Sequence, residues 1–303
     1  MTSDDYGNPD PEWLKIEWRR HVRRIELPGA TVNYAEIGEG EPIVFVHGIT
    51  SSWQAWLENL PYFAARGRRA IALDLPGFGA SPMPTWTIDM TAYGRLLHDF
   101  CEKLGVERGA TVVGNSMGGL VAGEAVLSGP ARFERLVLVS AAGLINTWLP
   151  RQRGTATSMA WDAFGRPFGA ATRFVVSHRR ARYLMFRFAI RHPERLRREL
   201  LWEQMANGVP CSGFADALQA VIEYDARDRL EEIEIPVLIV WGTDDWIIPS
   251  AAAHSYQRRI PHSQLAIFEE TGHVPQLERP ERFNRLLDEF LASPAADPGP
   301  TSR

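Results

Sequence analysis

The chain has 303 residues, a formal net charge of −4, and is 45% hydrophobic and 23% charged, an ordinary globular balance that excludes a general attraction to nucleic acid. Its two cysteines, Cys101 and Cys211, exclude a disulfide framework and stand in no metal-ligand spacing. No uncharged run approaches the roughly 18 residues that span a bilayer, and the acidic opening Met-Thr-Ser-Asp-Asp lacks the apolar core of a signal peptide, so a cytoplasmic location with no integral membrane segment is expected.

In chain order, residues 1–22 read as an N-terminal arm with a short amphipathic piece, Glu12–His21. Apolar runs then predict strands at Val22–Leu27, Thr31–Glu36, Pro42–His47, Arg69–Leu73, Ala110–Val113, Leu136–Ser140, Val237–Trp241 and Gln264–Phe268. Helical patterns separate the later strands at Met90–Leu104, Met117–Leu127, Ala251–Ile260 and Arg282–Leu291. Close spacing makes the first strands hairpin partners. From Pro42 onward the connections are of crossover length, which implies parallel pairing. Runs such as Ile43-Val44-Phe45-Val46 and Val237-Leu238-Ile239-Val240 predict burial on both faces. Between 144 and 230 the strand rhythm stops. That aromatic, arginine-rich stretch, with helical spacing at Tyr183, Phe186 and Ile190, reads as a helical insertion over the sheet. The core is therefore assigned to 23–143 and 231–292, and 293–303 to a flexible tail rich in proline and small residues.

The chemistry centres on Gly114-Asn115-Ser116-Met117-Gly118, which lies between a predicted strand and a predicted helix. G-x-S-x-G in that context is a sharp turn that exposes a serine hydroxyl, and its glycines give the strained backbone room. Serine needs a base to take its proton and a carboxylate to orient that base. His273, in Glu-Thr-Gly-His-Val-Pro after the last strand, is the candidate base. The loop after the sixth strand reads Ala-Ala-Gly, without a carboxylate, whereas the seventh strand runs into Gly242-Thr243-Asp244-Asp245. Asp245 is the candidate acid, with Asp244 a solvated or turn-stabilising neighbour.

The order serine, acid, histidine resembles that of the α/β-hydrolases, and the resemblance runs from about Arg23 to Leu291. It is carried by His47-Gly48, by Asp74-Leu-Pro-Gly77-Phe-Gly79-Ala-Ser81-Pro82, by Gly114 to Gly119, by Gly242-Thr-Asp-Asp245, and by Gly272-His273 with Glu278-Arg-Pro280. It implies a mostly parallel eight-stranded sheet flanked by helices, with a helical cap formed by the insertion. It also implies that the main-chain N–H groups of Ile49 and Met117 form an oxyanion hole, each worth about 3 kcal/mol to a tetrahedral intermediate. His47 is read as structural and Asp74 as a loop-shaping residue.

The Trp53/Trp56 region resembles haloalkane dehalogenases and epoxide hydrolases, which carry an aspartate where Ser116 stands here, so acyl transfer to serine is favoured: a carboxylesterase. Gly-Asn-Ser-Met-Gly-Gly also resembles the carbon–carbon hydrolases of meta-ring-fission products. Those usually place tryptophan after the catalytic histidine, where this chain has Val274, and have a glycine-rich oxyanion loop, where it has Ile49-Thr50-Ser51-Ser52. Thioesterase, lactonase and perhydrolase activities are further alternatives, and a ligand-binding receptor on the same fold is the non-enzymatic one. In the insertion, Arg151 to Arg198 holds twelve arginines against Asp162 and Glu194, a charge of +10, read as a solvated surface paired with the acidic remainder, with attraction to an anionic acyl substrate or a membrane surface as the alternative. Trp148, Trp161, Phe164 and Phe168, with Phe186, are candidate liners of the acyl pocket. No cofactor is implied, since the chain has neither a dinucleotide fingerprint nor a phosphate loop. The expected partner is a small acyl substrate, and the protein a monomer or homodimer.

Overall fold

The computed structural model describes residues 5–144, 168–208 and 211–293. Its eight strands are β1 (Val22–Leu27), β2 (Ala30–Ile37), β3 (Glu41–Val46), β4 (Arg68–Leu73), β5 (Ala110–Asn115), β6 (Phe133–Val139), β7 (Val237–Gly242) and β8 (Ser263–Phe268). They form one sheet in the order β1-β2-β4-β3-β5-β6-β7-β8. β2 pairs antiparallel with β1 and β4, and every later pairing is parallel. Each strand anticipated from the sequence is present, within a residue or three at its ends.

The central stretches of β3 to β7 are apolar because both faces are covered. Ten helices accompany them among the described residues: α1 (Leu60–Ala64), α2 (Met90–Lys103), α3 (Met117–Ser128), α4 (Phe168–Ser177), α5 (Arg179–Phe186), α6 (Arg198–Gly208), α7 (Phe214–Glu223), α8 (Ala251–Arg259), α9 (Pro275–Glu278) and α10 (Pro280–Ala292). On one face, Tyr93, Leu97 and Phe100 of α2 and Leu120 and Val121 of α3 pack over Val44, Ile71, Val112 and Leu138. On the other, Phe63 of α1 and Phe283, Leu287 and Phe290 of α10 pack over Phe45, Ala72, Val113 and Val240. α2 starts where Asp89 accepts a hydrogen bond from the Ala92 amide (2.6 Å), a side-chain N-cap.

The region of the N-terminal arm differs in detail from the amphipathic piece expected of Glu12–His21. It forms two 3₁₀ turns, Glu12–Leu14 and Trp18–His21, whose Trp13 and Trp18 are buried in the second core layer. Two indoles supply the anchorage that a longer helical face would otherwise provide. Between β6 and β7 the described residues carry four helices, α4 to α7, and Val176, Ile190, Leu196 and Leu201 there form a small core together with Tyr6 of the N-terminal segment. Trp148, Trp161 and Phe164 lie outside the described residues. Phe168 opens α4, and its side chain is likewise outside them. The stretch assigned to a tail after Ala292 is described only at Ser293.

The described arginines of the insertion have acids and rings as partners. Among the described residues, Arg191 reaches Asp244 in the core (3.3 Å), while Arg197 and Arg198 share Glu199 within the insertion. Others lie over rings: Arg173 on Trp202, Arg187 on Tyr183 and Trp246.

Candidate active site

Four non-glycine residues among those described have positive φ: Thr50, Ser116, Ser140 and Glu270. They follow β3, β5, β6 and β8, all at the carboxyl edge of the parallel sheet, where this topology puts ligand sites. Backbone strain of this kind concentrates where geometry is over-determined. Ser116, at φ 56° and ψ −119°, stands directly before the first residue of α3. A Cβ on Gly114 would fall 2.1 Å from the Gly118 carbonyl oxygen, and one on Gly118 would fall 2.3 Å from that of Val46. Only glycine fits at either place. The turn is held by Ser116 N–H donating to the Val139 carbonyl (2.9 Å) and by the Ala142 amide donating to the Ser116 carbonyl (3.0 Å).

The loop after β3 comes against this turn. The Gly48 backbone lies so close that a Cβ there would sit 3.0 Å from the Ser116 Cβ. Ile49 follows it, and Met117 N–H is one of the unpaired first-turn amides of α3. Among the described residues neither amide has a hydrogen-bond partner. His47 is fully buried. Its Nε2 accepts from the Leu75 amide (3.0 Å), so Nδ1 carries the proton and donates to the Gly48 carbonyl (2.7 Å). Burial pushes its pKa down to about 4, and the imidazole stays neutral. Asp74 accepts from the Trp53 amide (2.7 Å), the Ala80 amide (2.9 Å) and Asn33 Nδ2 (2.8 Å), tying the loop after β3 to the loop after β4. Burial raises its carboxyl to about 6. Both residues serve the scaffold.

His273 and Asp245 meet as expected: Nδ1 donates to Oδ2 at 2.8 Å, with the His273 side chain 7% exposed and the Asp245 side chain 0%. The other carboxylate oxygen of Asp245 accepts from the amides of Ile247 (2.9 Å) and Ile248 (2.8 Å), which fixes its plane. Asp244 points elsewhere. It accepts from the Thr243 hydroxyl (2.8 Å) and pairs with Arg191, so the adjacent aspartates diverge.

Two positions of the site were not given roles by the sequence. Asn115, beside Ser116, uses one amide to bridge the carbonyls of Val139 (3.1 Å) and His273 (3.2 Å), stitching the β5 turn to the histidine loop. Glu278 accepts hydrogen bonds from the amides of Gly272 and Val274, which flank His273. Burial pushes its carboxyl upward against those donors. A local signal existed for Glu278, an acid five residues after the candidate base and just before Arg-Pro. Among the described residues no cluster of His, Cys, Asp and Glu is placed to hold a metal ion, and none of their helices is long and apolar enough to cross a membrane.

A sequence model of the alpha/beta hydrolase fold matches residues 41–280. The chain is 32% identical over 278 residues to a 2-hydroxy-6-oxononadienedioate/2-hydroxy-6-oxononatrienedioate hydrolase of Paraburkholderia phymatum, covering 88% of this chain and 93% of that one. Among solved structures it is similar to Est816, described as an N-acyl homoserine lactone degrading enzyme, with a TM-score of 0.72 and 27% identity over 88% of this chain and 100% of the other. The esterase RhEst1 of Rhodococcus sp. gives 0.71 and 25% over 90% and 99%. The architecture, the elbow and the extent of the match agree, and the chain belongs to the α/β-hydrolase fold family.

Proposed function

We propose that the chain is a serine hydrolase that cleaves carboxylic ester bonds of small acyl substrates. The observation that carries this reading is a serine held at a strained strand-to-helix turn, on the same sheet edge as a buried Asp245–His273 hydrogen bond. Ser116 Oγ attacks the acyl carbon as its proton passes to His273 Nε2. The oxyanion is received by the N–H groups of Ile49 and Met117. Collapse of the tetrahedral intermediate expels the alcohol, which takes the proton from His273. A water, deprotonated by the same imidazole, then opens the acyl-enzyme, and the acid leaves as Ser116 regains its proton. Asp245 keeps the imidazole in the tautomer with Nδ1–H and steadies the imidazolium without being protonated. In this reading α4 to α7 are the cap that walls the acyl pocket from water.

A second reading, carbon–carbon hydrolysis of a ring-fission dienoate, is favoured by the curated relatives such as the Paraburkholderia phymatum protein. Val274 and the Ile49-Thr50-Ser51-Ser52 loop favour the ester. Turnover of p-nitrophenyl esters graded from acetyl to dodecanoyl, beside a ring-fission dienoate, separates the two. Activity confined to the dienoate overturns the ester reading. Ser116→Ala should lower kcat on the preferred substrate about 10⁴-fold or more and abolish fluorophosphonate labelling. Undiminished labelling of that variant would remove Ser116 from the mechanism.

A further inference from the structure

Glu278 lies at the end of α9, completely buried, and no ion pair to it is present among the described residues. Its two oxygens are instead surrounded by donors from three separate parts of the chain. The Gly272 amide donates to both (2.9 and 3.0 Å) and the Val274 amide to Oε1 (3.3 Å). The Arg191 amide, from the insertion, donates to Oε2 at 2.8 Å. The Tyr6 hydroxyl, from the N-terminal segment, donates to the same oxygen at 2.7 Å, and itself accepts from the His192 amide at 2.7 Å. The main chain repeats the connection: Gly7 N–H donates to the Glu278 carbonyl (2.7 Å), and His273 N–H donates to the Ala189 carbonyl (2.7 Å).

Three backbone amides and a phenol satisfy one carboxylate without any cation. Only an acceptor with two oxygens can do this. A glutamine would present its own N–H₂ to part of the same set and strand a buried donor, a costly substitution in a dry site. The arrangement brackets His273 from both sides, because Gly272 and Val274 are its sequence neighbours.

We propose that Glu278 is the positioning residue for the histidine of this site, and that Tyr6 and the insertion segment 189–192 complete the clamp. The proposal rests on the role of His273 given above. It makes the ring orientation depend on the N-terminal segment and on the insertion, so a substrate that shifts residues 189–192 acts on His273 directly through the Ala189 carbonyl and indirectly through the Arg191–Glu278 bond.

The test uses the full chain with Glu278→Gln and Tyr6→Phe, and His273→Ala in parallel. Four quantities are read: kcat, KM, the rate of fluorophosphonate labelling, and the downfield proton resonance of His273 Nδ1–H hydrogen-bonded to Asp245. All are taken well below each variant's melting midpoint. Glu278→Gln should lower kcat and labelling by up to about 10²-fold, the scale set by small misplacements of a reacting group. KM should move little, and the downfield resonance should shift or broaden. Tyr6→Phe should do the same to a smaller degree, and it keeps the proposal testable if Glu278→Gln does not fold. Folded variants with unchanged kcat and an unchanged resonance, even with a lowered melting midpoint, overturn the positioning role. Full labelling of His273→Ala would instead overturn the reading of His273 itself.

Discussion

The two halves of the candidate site are held by different means. On the serine side, β3, β5 and α3 converge so tightly that the backbone is placed by volume: side chains at Gly114 and Gly118 would collide with main-chain atoms. On the histidine side, the loop 271–274 is placed by hydrogen bonds it donates to Asp245, Glu278 and the Ala189 carbonyl, groups drawn from separate parts of the chain. Volume exclusion is written locally, in glycines a few residues apart. Hydrogen-bond placement is distributed, and each bond can be removed singly.

The sharpest break on the serine side is Gly118→Ala. Its Cβ would lie 2.3 Å from the Val46 oxygen and 2.5 Å from that of His47, neither of which can swing away. We expect loss of fluorophosphonate labelling together with destabilisation of more than about 3 kcal/mol in chemical denaturation. A folded, fully labelled variant would show that the turn has slack.

On the histidine side Asp245→Asn should leave the fold intact and lower kcat about 10⁴-fold, because the imidazole loses its preferred tautomer. Asp244→Asn, whose carboxylate faces Thr243 and Arg191, should change kcat by less than about threefold, as a screened partly exposed pair contributes little. Reversed effects would shift the acid by one residue.

Titration distinguishes the halves more finely. His47 belongs to the serine side, and burial lowers its pKa from 6.5 to about 4. The unfolded chain takes up this proton below pH 6.5 and the folded chain does not. Its contribution is therefore complete above pH 6.5 and declines as pH falls towards 4, by about 3 kcal/mol over the window. Burial acts oppositely on two acids: Asp74 is raised from 3.8 to about 6 and Glu58 from 4.5 to about 7. Their contributions decline as pH rises through those windows and mask part of the histidine slope. The informative measurement is the difference in unfolding free energy between wild type and His47→Gln from pH 4 to 7. A difference that does not grow with pH between 4 and 6.5 would mean that His47 is protonated in the folded chain.

The mildest expectation has the opposite sign. Gly123 lies in α3 five residues beyond Gly118, yet a Cβ there meets nothing within 4 Å. Gly123→Ala should stabilise the chain by about 0.5–1 kcal/mol through helix propensity. Destabilisation would mean that the crowding at the elbow extends further along α3 than its contacts indicate.

The same division explains what could be read in advance. Ile43-Val44-Phe45-Val46 and Val237-Leu238-Ile239-Val240 announce doubly covered strands by composition alone, and Gly114 and Gly118 announce the elbow by spacing. Asp245 and His273 were legible because each follows a recognisable strand. Glu278 was visible as a motif, but its work depends on Tyr6, 272 residues earlier, and on main-chain amides of the insertion that have no sequence signature. The individual partners of the insertion's arginines were hidden for a related reason. Charge counts give totals, whereas Arg173 and Arg187 found rings that lie near them only in the folded chain.

Asn115 gives the site a timetable. Its single amide spans Val139 and His273, 158 residues further on. During synthesis on the ribosome, the elbow can be extruded and folded against β3 and β6 while the chain that will supply His273 has not been made. On the proposed function, Ser116 then has no base, and no turnover is expected of the nascent chain. In refolding, long-range closure of this kind is the slow part, so helix content should recover before fluorophosphonate reactivity does. On the proposed function, an activity-based label would report completed folding.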